Sequence, residues 1–191
     1  AASSVYHNFH NLMVSEANIV VVSVEYRLAP EFKLPIAYED SWSSIKWVEK
    51  HVNGNGPESW LNDYVNFEKV FVGGDSAGGN ITHHMAIQAG LGRLDGMSLH
   101  GAILLNPYFW GKERVGSESE RVEPNMIVNL DNIWDVVKPE GSTGMDDPLI
   151  NPDMDPRIAG MGVSKMLVCV AGDNFMRERN WNYKEVIEKS G

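Results

Sequence analysis

The stretch KVFVGGDSAGGNITHHM, residues 69–85, constrains this chain more than any other feature. Its first third is β-branched and aromatic, which is strand material. Its last part opens a helix almost without a gap. Between them Gly74-Asp75-Ser76-Ala77-Gly78 fits G-x-S-x-G, and Gly79 follows directly. The five-residue pattern alone arises by chance in roughly one chain in twenty of this length, so its setting gives it weight. A serine held in a sharp strand-to-helix turn presents its Oγ at the positive end of the helix. Gly74 and Gly78 are expected to let the chain fold back without Cβ clashes. The Ala77 N–H is expected to face a developing oxyanion. Ser76 is thus the expected nucleophile, with Asp75 and Gly79 completing the elbow.

The rest of the chain sets this motif in an alternating pattern. Val5, Phe9, Leu12 and Met13 predict an amphipathic helix over residues 3–17. NIVVVSVEY, residues 18–26, reads as a buried strand of a parallel sheet. Pro30 and Pro35 mark a loop, and Trp42, Ile45, Trp47 and Val48 a helix over 38–51. Residues 53–66 read as loop. Further strands are expected at 69–74, 100–109 and 165–172, with a charged-faced helix from Arg177 to the end. Residues 111–163 read as an irregular insertion around a short amphipathic piece near Ile133, Trp134 and Val137. Strands alternating with helices predict an α/β class, a mostly parallel sheet flanked by helices, in one domain over 1–191.

Composition excludes more than it assigns. Hydrophobic residues make up 43% and charged residues 22% of the 191, ordinary for a globular chain. A net charge of −10 opposes phosphate backbones and anionic lipid, so no nucleic-acid or membrane partner is expected. The lone Cys169 permits no internal disulfide and suits a reducing, cytoplasmic setting. No secretory signal opens the sequence, and the lack of an initiator Met suggests a chain cut at both ends.

A serine hydroxyl needs a base, and the base an orienting carboxylate. For an elbow of this kind the chain order is Ser, acid, His. Asp173, directly after the strand KMLVCVAG, is the candidate acid; its alternative is a solvated loop carboxylate or a helix cap. The base is missing. The six histidines are His7, His10, His51, His83, His84 and His100, and none follows Asp173. His83 and His84 are expected to point away from the elbow. His7 and His10, spaced i, i+3, have no further ligands nearby, so no metal is expected.

SVEYRLAPE (23–31), LPIAYEDSW (34–42), GGDSAGGNI (73–81), NPYFWG (106–111) and DDPLINP (146–152) together resemble the hormone-sensitive-lipase-like α/β-hydrolases, the plant carboxylesterases in particular. The resemblance runs through LVCVAGDNFMRER and spans essentially the whole chain. It implies an α/β-hydrolase fold with a helical cap, hydrolysis of small carboxylic esters and no cofactor. It further implies that the His-Gly-Gly oxyanion loop lies before these residues and the catalytic His after them. The family acid follows V-A-x-x and precedes two apolar residues and Arg, a position filled here by Asn174 instead of Asp173. An amide orients an imidazole but does not balance its positive charge, so both residues remain candidates. Tyr108, Phe109 and Trp110 are candidates to line a substrate pocket, with Trp134 beside them; core packing is their alternative. Two other functions share the resemblance. Gibberellin receptors keep the serine and lose the histidine, but tend to carry Arg where Leu28 stands. Hydroxyisoflavanone dehydratases replace the nucleophile with Thr, whereas Ser76 is intact.

Overall fold

In a computed structural model, residues 4–92 and 94–191 are described. Three strands form one sheet in the order β1 (Val70–Asp75), β2 (Leu99–Leu105), β3 (Met166–Cys169), and every pairing is parallel. The register runs from Phe71↔Gly101 to Asp75↔Leu105 and from Ala102↔Met166 to Leu105↔Cys169. All three strands therefore end on the same edge, where loops carry functional groups in open parallel sheets.

The helices are α1 (Ser4–Ala17), α2 (Ile36–Glu49), α3 (Ser59–Tyr64), α4 (Ala77–Gly90), α5 (Glu118–Arg121), α6 (Pro124–Val137) and α7 (Arg177–Ser190). Helix α4 leaves β1 through Ser76 and crosses one face of the sheet; its residues from Gly79 to Ile87 are all buried. Helix α2 covers α4 in turn, through Ala37 and Tyr38 against Ile81 and Met85. Ala102, Leu104 and Phe109 close on Tyr183 of α7. On the other face Phe71 and Leu167 stay half exposed. Among the described residues no helix is long and apolar enough to cross a membrane.

Three local expectations change. The apolar run 18–26 joins no strand, and Ile19, Val20 and Val22 are 39%, 41% and 38% exposed. Strand propensity is fit to a pleated, half-buried surface, and no ladder of the described residues receives this run. Residues 53–66 contain α3, anchored by the fully buried Leu61. The segment 111–163 holds two helices, the longer one started by Pro124 in its first turn. Leu130 and Trp134, four apart, form the inward stripe of α6, joining Trp110, Val122, Ile150 and Met176 in a separate core.

Candidate active site

Ser76 has φ 54° and ψ −113°, a conformation that few side chains adopt without support. The support is visible. The Ser76 N–H donates to Leu105 O at 2.9 Å, and Ser76 O accepts from Tyr108 N at 2.9 Å and from Asn80 N at 3.2 Å. The turn is thus fastened to the end of β2 and to the first turn of α4. Ser76 and Ala77 are both exposed. The Ala77 N–H belongs to the first turn, where helix amides have no acceptor within the helix. An exposed hydroxyl beside an unspent amide is what acyl transfer requires of a nucleophile and half of an oxyanion hole.

The glycines divide their work differently from the sequence expectation. A Cβ on Gly74 would run into the backbone of Gly78. A Cβ on Gly79 would lie 2.8 Å from Cα and Cβ of Pro107. A Cβ on Gly78 would meet nothing within 4 Å, so Gly78 contributes its backbone to the close approach and needs no missing side chain itself. Gly78→Ala should therefore keep stability within about 0.5 kcal/mol, while Gly79→Ala should cost about 1–3 kcal/mol through overpacking on Pro107. Urea denaturation of the two variants beside the parent checks the contrast. Next to the serine, Asp75 accepts a 2.6 Å hydrogen bond from Tyr6 Oη of α1, and this bond raises the Tyr6 pKa.

The two acid candidates sit in the turn between β3 and α7. Asp173 is exposed and makes no hydrogen bond or ion pair with the described residues. The Asn174 side chain is already engaged: its Oδ1 accepts from Met176 N at 2.7 Å, closing an Asx-type turn just ahead of α7. The cap alternative that the sequence offered for Asp173 is not taken: the N-cap residue of α7 is Met176, with no side-chain cap. A link that sequence reasoning missed lies opposite. Asn106, at φ 40°, accepts a 2.8 Å bond from Ala171 N on its Oδ1. Only the left-handed conformation hints at it, since Asn tolerates that region better than most residues.

No histidine hydrogen-bonds to Ser76 among the described residues. His51 is buried between Trp47, Val48 and Glu58, its Nε2 accepting from Glu58 N at 3.1 Å. His83 and His84 are buried in the core. His83 Nδ1 lies 3.0 Å from Tyr183 Oη, and His84 Nε2 lies 3.0 Å from Leu149 O. Burial holds both imidazoles neutral: His83 falls well below its ordinary value and His84 falls to about 4. Together with Asp155 they form the group best placed for a metal ion among the described residues, with one ligand atom of each within 4.8 Å of the others. Yet Arg157 binds both Asp155 oxygens, at 2.7 and 2.6 Å, His84 Nε2 is taken by Leu149 O and His83 Nδ1 by Tyr183 Oη, while the buried His83 Nε2 has no partner among the described residues. With the Arg157 guanidinium already on its one carboxylate, the group packs as part of the core. On α1, His10 stacks on Tyr6 at 6.2 Å, and His7 is exposed.

Of the pocket candidates, Phe109 and Trp110 take the packing alternative. Phe109 is 1% exposed and stacks on Tyr183 at 4.3 Å; Trp110 is fully buried and donates to Asp131. Trp134 is buried too, its Nε1 donating to Gly144 O. Tyr108 is half-buried with its Oη donating to Leu130 O. Asn80, which the sequence reading did not single out, ties these parts together. Its amide donates to Tyr108 O and Leu149 O and accepts from Tyr38 Oη at 2.7 Å.

The alpha/beta hydrolase fold family matches residues 1–191, the whole of the sequence. The chain belongs to that family. Among its relatives in Arabidopsis thaliana, probable carboxylesterase 7 is 44% identical over all of this chain and 61% of its own length. Probable carboxylesterase 13 is 41% identical over all of this chain and 60% of its own. The 2-hydroxyisoflavanone dehydratase of Glycine max is 37% identical, over 61% of its length. Among solved structures, the Pyrobaculum calidifontis esterase aligns over 94% of this chain and 55% of its own, with a TM-score of 0.73 and 25% identity. The α/β-hydrolase thus spans about three fifths of the length of these curated relatives.

Proposed function

We propose that these residues carry the nucleophile and the acid arm of a serine carboxylesterase acting on small carboxylic esters. The observation that carries the reading is the Ser76 backbone at φ 54°, ψ −113°, held by Leu105, Tyr108 and Asn80 with its side chain exposed. Such a conformation persists only where the surroundings impose it, and functional sites are where that happens. The carboxylesterase relatives and the esterase structure support the same class.

In this reading Ser76 Oγ attacks the ester carbonyl, and a histidine takes its proton. The relatives are longer than this chain, and that histidine and the second oxyanion donor come from segments outside these residues. The Ala77 N–H stabilises the oxyanion from the α4 terminus. The alcohol leaves with the proton returned by the histidine, and water then releases the acid from Ser76 by the same steps in reverse. Asp173 is the better orienting acid, because its carboxylate is unspent while the Asn174 side chain holds the turn ahead of α7. No cofactor takes part, and a reducing compartment such as the cytoplasm suits the unpaired Cys169.

A fluorophosphonate probe tests this directly on the full-length protein, with peptide mapping and p-nitrophenyl acetate turnover. Labelling at Ser76 is expected, with loss of both signals in Ser76→Ala. Turnover retained in Ser76→Ala would remove the nucleophile assignment. A parent protein that neither labels nor turns over would instead favour a ligand-binding role on the same scaffold.

A further inference from the structure

The way β2 ends gives Asn106 a task beyond closing a turn. In the parallel β2–β3 pairing, Ala102 N donates to Lys165 O, and the register runs on to Leu105↔Cys169. Donors on β2 recur every second residue, and Asn106 N does reach Cys169 O at 2.8 Å. Continuing the ladder, Ala171 N should next donate to the backbone carbonyl of Asn106. It donates to the Asn106 side-chain oxygen instead, at 2.8 Å. The side chain thus stands in for the ladder carbonyl, because the backbone at φ 40° has already turned away.

Both halves of the site hang on this substitution. The turning backbone leads to Tyr108, whose N–H bonds Ser76 O, while Leu105 just before it accepts from Ser76 N. The extra rung carries β3 as far as Ala171, whose own carbonyl accepts from Asn174 N at 3.1 Å. That last bond closes the turn containing Asp173. We propose that Asn106 is a positioning residue that sets the acid turn against the nucleophile elbow, acting through the Ala171 amide. The inference rests on the esterase reading above.

The test uses the full-length protein with Asn106→Leu, which keeps the size and removes the acceptor, and Asn106→Asp, which keeps the acceptor and adds a charge. For Asn106→Leu, kcat on p-nitrophenyl acetate should fall by about 30–100-fold with KM within about threefold, the scale expected of a misplaced catalytic group. Asn106→Asp should recover most of that loss. Its rising pH–rate limb should move to higher pH, because a carboxylate beside the acid turn favours the imidazolium. Unchanged kcat in Asn106→Leu overturns the proposal, and so does an equal loss in both variants with the pH limb unmoved. If Asn106→Leu does not fold, the Asn106→Asp pH profile decides alone. Hydrogen exchange at the Ala171 amide keeps the two readings apart. An inactive parent with that amide protected would sink the esterase reading while the tether stands; an active parent with it unprotected would sink the tether alone.

Discussion

Arg179→Met is expected to lower stability by about 3 kcal/mol in urea denaturation, because it strands a buried carboxylate. Arg179 of α7 is 4% exposed and Glu118 of α5 is 0% exposed. Their contact is two-pronged, Nε to Oε1 and Nη2 to Oε2, each at 2.9 Å. Arg179 also donates to the carbonyls of Gly111 and Glu113 and lies 5.0 Å over the Trp110 ring. One side chain therefore staples the start of the β2–β3 connection to the last helix. Removing it leaves Glu118 with Val115 N at 3.3 Å and Arg114 at 3.9 Å. Arg114 is partly exposed and able to move closer, which places the expected loss at the lower end of the usual about 3–5 kcal/mol for a broken buried pair. Glu118→Met alone should cost a similar amount, since it leaves a guanidinium without its partner. Combining the two changes should cost clearly less than their sum, since neither charge is then stranded. Additive losses would mean that the pair is screened by water and does not act as a buried unit.

The parts of the fold that could be read from the sequence are those fixed by neighbours along the chain. The elbow is local: strand, tight turn and helix lie within 70–90, and Gly74 is required by a contact only four residues away, at Gly78. Helix α4 was legible for the same reason. The run 18–26 was not, because a strand is a property of a pair, and hydrophobicity names no partner. Helix α6 was hidden by the reverse effect. Met126, Val128, Ile133 and Val136 face outward, so the stripe of Leu130 and Trp134 drowns in apolar residues on every side. At the site, Ser76 could be found from spacing, but the proposed choice of Asp173 over Asn174 turns on a turn-closing bond from Met176 N to Asn174. The role of Asn106 depends on Ala171, 65 residues later, which no local pattern carries.

Acid should destabilise this protein steeply as pH falls below about 6.5, and His83 and His84 should be the main cause. Both are buried, and desolvation is the main reason their pKa values fall, with Arg157 adding to it. For His84 the bond to Leu149 O and the carboxylates of Asp155 and Asp147 pull the other way, yet the value still falls to about 4. In the unfolded chain each imidazole regains about 6.5. Between those values the unfolded state binds more protons than the folded one, so stability rises with pH across the window. It is fully present above about pH 6.5 and is lost as pH falls, the His84 share levelling off below about pH 4. That share comes to about 3 kcal/mol, at about 1.4 kcal/mol per pH unit. The Asp155 carboxylate is held below its ordinary value by its bonds to Arg157, so its own loss begins only below the histidine window. Urea midpoints at pH 7 and pH 4.5 should therefore differ steeply in the parent. His84→Gln keeps a donor for Leu149 O and has no proton to gain. It should be modestly less stable at pH 7 but should lose about half of the pH slope, with His83 carrying the rest. A slope unchanged in His84→Gln would move the acid sensitivity to groups outside this core.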